Sequence, residues 1–355
     1  MLFEEFLLLL GVFAGAFLTT FVMIPKIRSL SIERRLGSIP NNRSSHINAT
    51  PNIGGIAFYV TMMVFYYFIQ PLDQTDIFTS IIPGLTIMFI IGLKDDLVGV
   101  APYTKIIAQI TAGYFIAAHP NFELINLKGF LWVFQVNFFV GFALVIAFII
   151  VTVNAINLID GIDGLAGVMS IVIFSSFGAI FFMIDHLFLL SVNVVLVGSI
   201  MAFIWFNVHP KKKIFMGDTG SLVIGFMISI MAIDLFTLTK TELYKLEFPL
   251  QNFPFLVFTI LFIPLMDTIR VFATRTLNGK SPFHADKTHI HHILLPYFSG
   301  SHFKTSLAIG IISLSITLVY ALFLIHATQT VLFIASLVLC IVYCIALEKL
   351  KIRET

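Results

Sequence analysis

The acidic and amide side chains of this sequence are concentrated in short motifs beside long apolar runs. Asp95 and Asp96 stand together directly after an apolar run near 77–93. Adjacent carboxylates provide hard oxygen ligands for a divalent cation, and their repulsion can raise the pKa of one of them toward that of a general base. The alternative is a solvated acidic helix end beside Lys94, and the pair alone does not decide between the two.

A second motif ends the apolar run near 138–156. Asn154, Asn157 and Asp160 follow each other at intervals of three residues, which favours their lying along one face of a helix. Asp160 and Asp163 are each followed by glycine, which predicts a helix break where the backbone can approach a ligand. An ordinary polar helix exit and turn is the simpler alternative, but it leaves four polar side chains in a very apolar chain unexplained.

A third acid, Asp218, stands between two glycines in Gly217–Ser221, where another apolar run begins. A carboxylate at a helix N-terminus can hold Mg²⁺ while the free N–H groups of the first turn face a phosphate. The alternative is that Asp218 or Thr219 is an ordinary N-cap.

The longest polar loops contribute histidine and further basic residues. The loop after the apolar run near 252–272 contains His289, His291 and His292, without a thiolate or a His-Glu-x-x-His pattern. Zinc is therefore disfavoured, and imidazoles that contact a diphosphate are favoured over a merely solvated loop. Other polar candidates on the same side of the membrane are His46, Lys105 and Arg270.

The composition requires lipid around the chain. Hydrophobic residues make up 58% of it and charged residues 11%, with a mean hydropathy of +0.99, so a soluble globule could not cover its surface. Apolar runs of 18 or more residues recur along the chain. We predict one all-α domain, 1–355, a polytopic helical membrane protein whose eleven transmembrane helices lie near 5–24, 53–70, 77–93, 104–118, 138–156, 165–184, 187–206, 217–237, 252–272, 305–325 and 328–347.

The basic residues predict the orientation of these spans. With the N-terminus outside and the C-terminus cytoplasmic, all of the 21 Lys and Arg residues except Lys128, Lys240 and Lys245 fall inside. The run 211–213 is interpreted as a topology anchor, and no basic stripe interleaved with aromatics suggests a nucleic-acid partner. All the polar motifs then lie at cytoplasmic helix ends. Their carboxylates and carboxamides favour a divalent cation, and the neighbouring basic residues favour a diphosphate as the ligand. A site at the membrane surface predicts a lipid as the acceptor.

Over almost its whole length the chain resembles the polyprenyl-phosphate N-acetylhexosamine-1-phosphate transferases, glycosyltransferase family 4. The motifs occur in the family's order, and His289-Ile290-His291-His292 is similar to the WecA/TagO branch rather than the related MraY branch. The resemblance implies an Mg²⁺-dependent enzyme of the bacterial cytoplasmic (inner) membrane, with its active site on the cytoplasmic face. It would transfer N-acetylhexosamine-1-phosphate, with GlcNAc favoured, from a UDP-sugar to undecaprenyl phosphate, release UMP and initiate O-antigen, capsule or teichoic-acid synthesis.

The resemblance also implies residue roles. Asn52 departs from it, since many relatives carry a basic residue in the loop Thr-Pro-x-x-Gly-Gly. Direct attack assisted by Asp95 and a covalent phospho-aspartyl route are both open. The implied catalytic residues are Asp95, Asp96, Asp160 and Asp163; the implied ligands of Mg²⁺ or Mn²⁺ are Asp218, Asn157 and Asp95; the implied substrate-binding residues are His46, Lys105, Asn154, Asn157, Arg270, His289, His291 and His292.

Three other functions remain open at this point. The donor could be a 6-deoxy sugar such as UDP-FucNAc or UDP-QuiNAc, because no polar loop visibly recognises the sugar C6 group. A membrane transporter could also hold buried acids, although such sites usually lie near the bilayer midplane. The last alternative is a non-catalytic scaffold in an envelope-polymer assembly, and a homodimer is left open.

Overall fold

The computed structural model describes residues 3–34, 36, 50–74, 76–124, 126–238, 249–281 and 287–352. Most residues in these ranges are helical and none forms a β-strand, which confirms the all-α prediction. The principal helices are α1 (Phe3–Glu33), α2 (Ile56–Ile69), α3 (Ile77–Val98), α4 (Pro102–Ala117), α5 (Phe138–Ile159), α6 (Leu165–Met183), α7 (Leu187–Asn207), α8 (Gly217–Thr237), α9 (Phe253–Ile260), α10 (Phe262–Leu277), α11 (Ile290–Leu294), α12 (His302–Leu324) and α13 (Gln329–Ile352).

Each of the eleven predicted apolar segments coincides with helix, but the helices differ in length. Among the described residues, eight helices are long and apolar enough to cross a membrane: α1, α3, α5, α6, α7, α8, α12 and α13. Helices α9 and α10, bent by 71° at Leu261, count as a ninth if they form one span. Helices α2 and α4 have 14 and 16 residues and are about 21 and 24 Å long, less than a typical hydrocarbon core.

Helix α8 lies at the centre of the bundle and is buried along almost its whole length. It is apolar all round, as expected of a helix enclosed by other helices. Small residues allow α3 and α5 to approach it closely: a Cβ on Gly92 would lie 2.7 Å from the α8 backbone, and one on Gly225 would lie 2.9 Å from Val153 of α5. The C-terminal ends of α3 and α5 therefore meet the N-terminal end of α8.

The polar loops meet at this same end of the bundle. Arg28, near the end of α1, donates from Nε to the carbonyl oxygen of Lys213 at 3.1 Å. The N–H of Gly54, just before α2, donates to the carbonyl oxygen of Phe215 at 3.0 Å. Segments predicted to be cytoplasmic loops are thus brought together at one end of the molecule.

Candidate active site

A polar cavity of about 510 Å³ lies between these helix ends. A cavity of this size is typical of small-ligand sites. It lies at the ends of helices, not midway along them, which differs from the usual place of a transporter site. Its lining includes the predicted site residues Asp96, Asn157, Asp160, Asp163, Asp218 and His292, together with Asn52, Asn207 and His302.

Lys105 joins two of the predicted metal ligands. Its Nζ donates to Asp95 Oδ2 at 2.9 Å and also to Asp218 Oδ2. The other oxygen of Asp95 accepts the N–H of Val100 at 2.7 Å, just after α3 ends. Lys105, predicted from the resemblance to bind substrate, is therefore the cation that holds the carboxylates of α3 and α8 together in this structure.

Asp96 caps the N-terminus of α8. Its Oδ1 accepts the N–H of Asp218 at 2.9 Å, and its Oδ2 accepts the N–H of Thr219 at 2.8 Å and the Thr219 hydroxyl at 2.5 Å. A carboxylate here satisfies free N–H groups and interacts favourably with the helix dipole. Gly217 has a φ of 69°, and a Cβ on it would lie 1.8 Å from the Asn52 carbonyl oxygen, so glycine is required at this turn. The cap of α8 thus comes from α3, and it fixes the position of Asp218.

The polar face predicted for α5 is only partly formed. Asn157 donates from Nδ2 to Asp218 Oδ1 at 3.1 Å and to Ser221 Oγ at 2.9 Å, so it belongs to the site. Asn154 instead donates to Gln109 Oε1 at 2.8 Å and does not line the cavity. The reason is geometric: residues 154 and 157 point about 60° apart around a helix with 3.6 residues per turn, so Asn154 faces α4 while Asn157 faces α8.

Asp160 directly follows α5, and it lines the cavity. Burial, together with the negative charges of Asp218, Asp96 and Asp163, raises the pKa of Asp160 to about 7. Negative charge at this point of the cavity is therefore only partly compensated by the surrounding side chains.

Asp163 has the opposite environment. Its Oδ2 lies 2.6 Å from Lys213 Nζ and 2.8 Å from His302 Nδ1. Burial acts to raise the pKa of Asp163, but the hydrogen bond from His302 and the ion pair with Lys213 outweigh it, and the pKa lies below its usual value. Asp163, predicted as catalytic, is thus tied into an ion pair that fixes the loop between α5 and α6.

The predicted histidine group is divided between the cavity and the protein interior. His292 lines the cavity, whereas His289 and His291 are only 6% and 1% exposed. Nε2 of His291 packs against Gly161, where a Cβ would lie at 2.2 Å. Burial, with a smaller contribution from His292, lowers the pKa of His291 to about 3. His291 is therefore neutral and supplies no positive charge to a diphosphate.

Two further predicted substrate-binding residues, Lys105 and Arg270, are not among the described residues that line the cavity. Arg270 is 8% exposed and donates from Nη2 to Asp267 Oδ1 at 2.8 Å and to the carbonyl oxygen of Thr288 at 2.5 Å. His46 lies outside the described residues.

Two site residues were missed by the sequence reasoning, Asn207 and His302. Asn207, at the end of α7, accepts the N–H of Gly164 at 2.6 Å and donates to the carbonyl oxygen of Ile214 at 2.9 Å, which links two loops of the site. His302 begins α12 and lines the cavity. Each is a polar residue beside an apolar run, which is the signal that identified the other motifs.

The donor set of the cavity fits Mg²⁺. The carboxylates of Asp160 and Asp218 and the carboxamide of Asn157 offer hard oxygen ligands. Within the described ranges no three acidic, histidine or cysteine side chains are grouped as a complete metal site. Mg²⁺ usually keeps several waters and is bound by one or two carboxylates together with substrate phosphates, so it does not need a full protein cage.

The fold and the site define a class: a polytopic helical membrane protein with a carboxylate-rich cavity at the ends of its helices. The profile of glycosyl transferase family 4 matches residues 78–236, the region from α3 to α8. A probable undecaprenyl-phosphate N-acetylglucosaminyl 1-phosphate transferase of Bacillus subtilis is 30% identical over 314 residues, covering 88% of this chain and 84% of the relative.

Two other relatives agree with this match. The undecaprenyl-phosphate alpha-N-acetylglucosaminyl 1-phosphate transferase of Pasteurella multocida is 32% identical over 294 residues, 81% of this chain and 78% of the relative. The decaprenyl-phosphate N-acetylglucosaminephosphotransferase of Mycolicibacterium smegmatis is 29% identical over 293 residues, 76% of this chain and 71% of the relative. The chain belongs to the polyprenyl-phosphate N-acetylhexosamine-1-phosphate transferase family.

Proposed function

We propose that this protein transfers GlcNAc-1-phosphate from UDP-GlcNAc to undecaprenyl phosphate. An oxygen of the lipid phosphate forms a bond to the sugar-linked phosphorus, the bond from that phosphorus to the bridging oxygen breaks, and UMP leaves. The product is undecaprenyl-diphospho-GlcNAc, the first intermediate of a cell-envelope polysaccharide. The names of relatives that cover most of the chain support this reaction.

The observation that carries the proposal is the convergence of three carboxylates from separate helices. Asp96 at the end of α3, Asp160 after α5 and Asp218 at the start of α8 all line one cavity. Acidic groups near membrane depth are costly, so their concentration around one cavity indicates a function that requires them.

Mg²⁺, or Mn²⁺ in its place, is the proposed cofactor, held by Asp160, Asp218 and Asn157. Asp95, the third ligand implied by the resemblance, accepts hydrogen bonds from Lys105 and Val100 and is not among the residues that line the cavity, so Asp160 takes its place in the proposed set. When bound, the ion supplies positive charge that lowers the cost of separating UMP from the diphosphate. Asp96 fixes the backbone on which Asp218 is carried. His292 and His302 line the same cavity and are the side chains that would contact the diphosphate.

The proposed topology has eleven spans, with α2 and α4 as short spans. The N-terminus is outside and the C-terminus and cavity face the cytoplasm of a bacterial inner membrane. This is supported by the basic residues of the predicted inner loops and by the meeting of those loops at one end of the bundle.

The direct test is UMP release from UDP-GlcNAc and undecaprenyl phosphate by the purified protein. We expect Mg²⁺-dependent release, loss with a chelator, and a lipid-diphospho-GlcNAc product in the mass spectrum. A parallel donor panel with UDP-FucNAc and UDP-QuiNAc tests the 6-deoxy alternative. Absence of UMP from every UDP-HexNAc in the presence of Mg²⁺ would contradict the proposed function.

A further inference from the structure

The buried carboxylate of Asp267 in α10 accepts four hydrogen bonds. Its Oδ1 accepts from Arg270 Nη2 at 2.8 Å, from the N–H of Ile290 at 3.0 Å and from the Tyr343 hydroxyl at 3.4 Å. Its Oδ2 lies 2.7 Å from His289 Nδ1, which donates to it. We call these five residues the Asp267 clamp. The clamp connects α10 with the start of α11 and with the last helix, α13.

The clamp is held firmly because its carboxylate is only 2% exposed. A charge at such a depth is costly unless it is paired and hydrogen-bonded, so each donor that is lost leaves an uncompensated acceptor. Bonds between ionised partners are also shorter and stronger than neutral ones. The donors are therefore constrained to one arrangement around Asp267.

This arrangement determines where α11 lies. Arg270 donates a second hydrogen bond, to the carbonyl oxygen of Thr288 at 2.5 Å, just ahead of the helix. Ile290, whose N–H is bound by Asp267, is the first residue of α11, a helix of only five residues. So short a helix has little stability of its own, and its position depends on contacts such as these.

The histidines continue this connection as far as the cavity. The rings of His289 and His291 are parallel, with centroids 5.7 Å apart, and those of His291 and His292 are 4.3 Å apart. His291 packs against Gly161, and His292 lines the cavity. A displacement of His289 or of the α11 backbone would therefore move the His292 side chain that lines the cavity.

We propose that Asp267 is a positioning residue, which through the clamp holds α11 so that His292 faces the diphosphate of the nucleotide sugar. Arg270 and His289, which the sequence predicted as substrate contacts, act through α11 and do not touch the substrate. This inference depends on the proposed function for the identity of the substrate. It adds Asp267 of α10 and Tyr343 of α13 to the residues that shape the site.

The first test is the kinetics of Asp267→Asn, an isosteric change that removes the charge. We expect the KM for UDP-GlcNAc to rise about tenfold, because the variant weakens binding of the nucleotide sugar. The kcat should stay within about threefold of the wild type. A merely structural role would lower the folded fraction and so lower the maximal rate without changing KM. Size-exclusion profiles and melting temperatures in detergent give the folded fraction.

The second test separates positioning from contact at His289. The side-chain amide of His289→Asn can place a nitrogen donor near the former Nδ1, whereas His289→Ala cannot. We expect the Asn variant to keep a KM within about threefold of the wild type and the Ala variant to resemble Asp267→Asn. Equal damage in both variants would mean that the imidazole itself is needed, and would overturn the assignment of His289.

Tyrosine variants provide the matched control. Tyr343→Phe removes the longest bond of the clamp, and we expect about a twofold rise in KM. Tyr320→Phe removes another buried hydroxyl of the helix pair α12 and α13, 3.1 Å from Ser336 and outside the clamp, and should leave KM unchanged.

A measurement that does not require catalysis distinguishes the positioning role of Asp267 from the proposed transferase function. Amide hydrogen exchange in Asp267→Asn should become faster across residues 288–294 while α3 and α8 stay protected. An unchanged KM in folded Asp267→Asn, or unchanged exchange at α11, overturns the clamp as a positioning device. A wild-type protein that releases no UMP overturns the proposed function instead, and the exchange experiment still decides whether Asp267 holds α11.

Discussion

Two acidic centres in this protein, at Asp218 and at Asp267, contain the same residue types but serve different purposes. Asp218 is paired with Lys105 and Asp267 with Arg270, but the first pair keeps side-chain exposures of 23% and 20%, and the second only 3% and 6%. Asp218 opens onto the cavity, whereas Asp267 is enclosed between α10, α11 and α13.

The difference shows that an ion pair is informative about function only together with its surroundings. A partly exposed carboxylate that opens onto a cavity can exchange its partner for a cation or a ligand at modest cost. A buried and fully paired carboxylate cannot, because any vacancy leaves a charge without a partner in a medium of low polarity. We therefore assign chemistry to the first centre and positioning to the second.

The largest expected effect is that of Asp218→Asn at the exposed centre. The variant keeps the size of the side chain but loses the charge that is proposed to bind Mg²⁺, so UMP release should fall by at least about a thousandfold. The measurement is initial rate as a function of Mg²⁺ concentration. A rate within tenfold of the wild type, with unchanged Mg²⁺ dependence, would remove the distinction between the two centres.

The control for the removal of the Asp218 charge is Asp76, which precedes α3 at the end away from the cavity. Asp76 is exposed and has a φ of 52°, a left-handed conformation that asparagine also tolerates. Asp76→Asn should therefore retain the wild-type rate and melting temperature.

The next largest effect is expected from Asp96→Ala, which removes the cap of α8. Loss of an N-cap typically costs about 1–2 kcal/mol of stability, and here it also frees the backbone that carries Asp218. We expect a lower melting temperature in detergent together with a rate reduced about a hundredfold. Thr219→Val, which removes only the hydroxyl donor, should show a smaller change in both quantities, and equal effects would argue against a capping role.

Much of the site was predictable because its residues interrupt apolar runs. Asp96, Asp160 and Asp218 each stand where a helix begins or ends, and the sequence places all three at one membrane surface. The helical class followed from the same runs, because their length and composition leave no soluble alternative. The number of spans was harder, since α2 has 14 residues where the run 53–70 predicted 18, and α4, with 16 residues, is also shorter than a typical hydrocarbon core requires.

The remainder depended on contacts that no local pattern contains. His302 meets Asp163 across 139 positions of the chain, and the cap of α8 comes from Asp96, 123 positions before Thr219. The family resemblance implied that Arg270 binds substrate. The structure instead shows Arg270 buried in an ion pair with Asp267.

A moderate effect is expected where the histidines meet the cavity. In Gly161→Ala the new Cβ would lie 2.2 Å from His291 Nε2, so the ring must move, and His292 with it. We expect the KM for UDP-GlcNAc to rise about tenfold. This result would show, independently of the Asp267 clamp, that the buried histidines determine where His292 lies in the cavity. Gly11→Ala is the control, because apart from the neighbouring backbone of its own helix nothing lies within 4 Å of the corresponding position. An unchanged KM in the folded Gly161→Ala protein would separate the two centres.

The smallest effect on activity is expected for Asn154→Ala. Asn154 lies three residues before Asn157, yet it bonds to Gln109 of α4 and stands apart from the cavity. The rate and the KM values for UDP-GlcNAc and undecaprenyl phosphate should stay within about twofold of the wild type. The lost interhelical hydrogen bond costs about 0.6 kcal/mol of stability. Asn157→Ala, measured beside it, should lose most of its activity, because Asn157 donates to Asp218. If the two variants were equally impaired, the active face of α5 would extend further into the membrane than the contacts of Asn154 indicate.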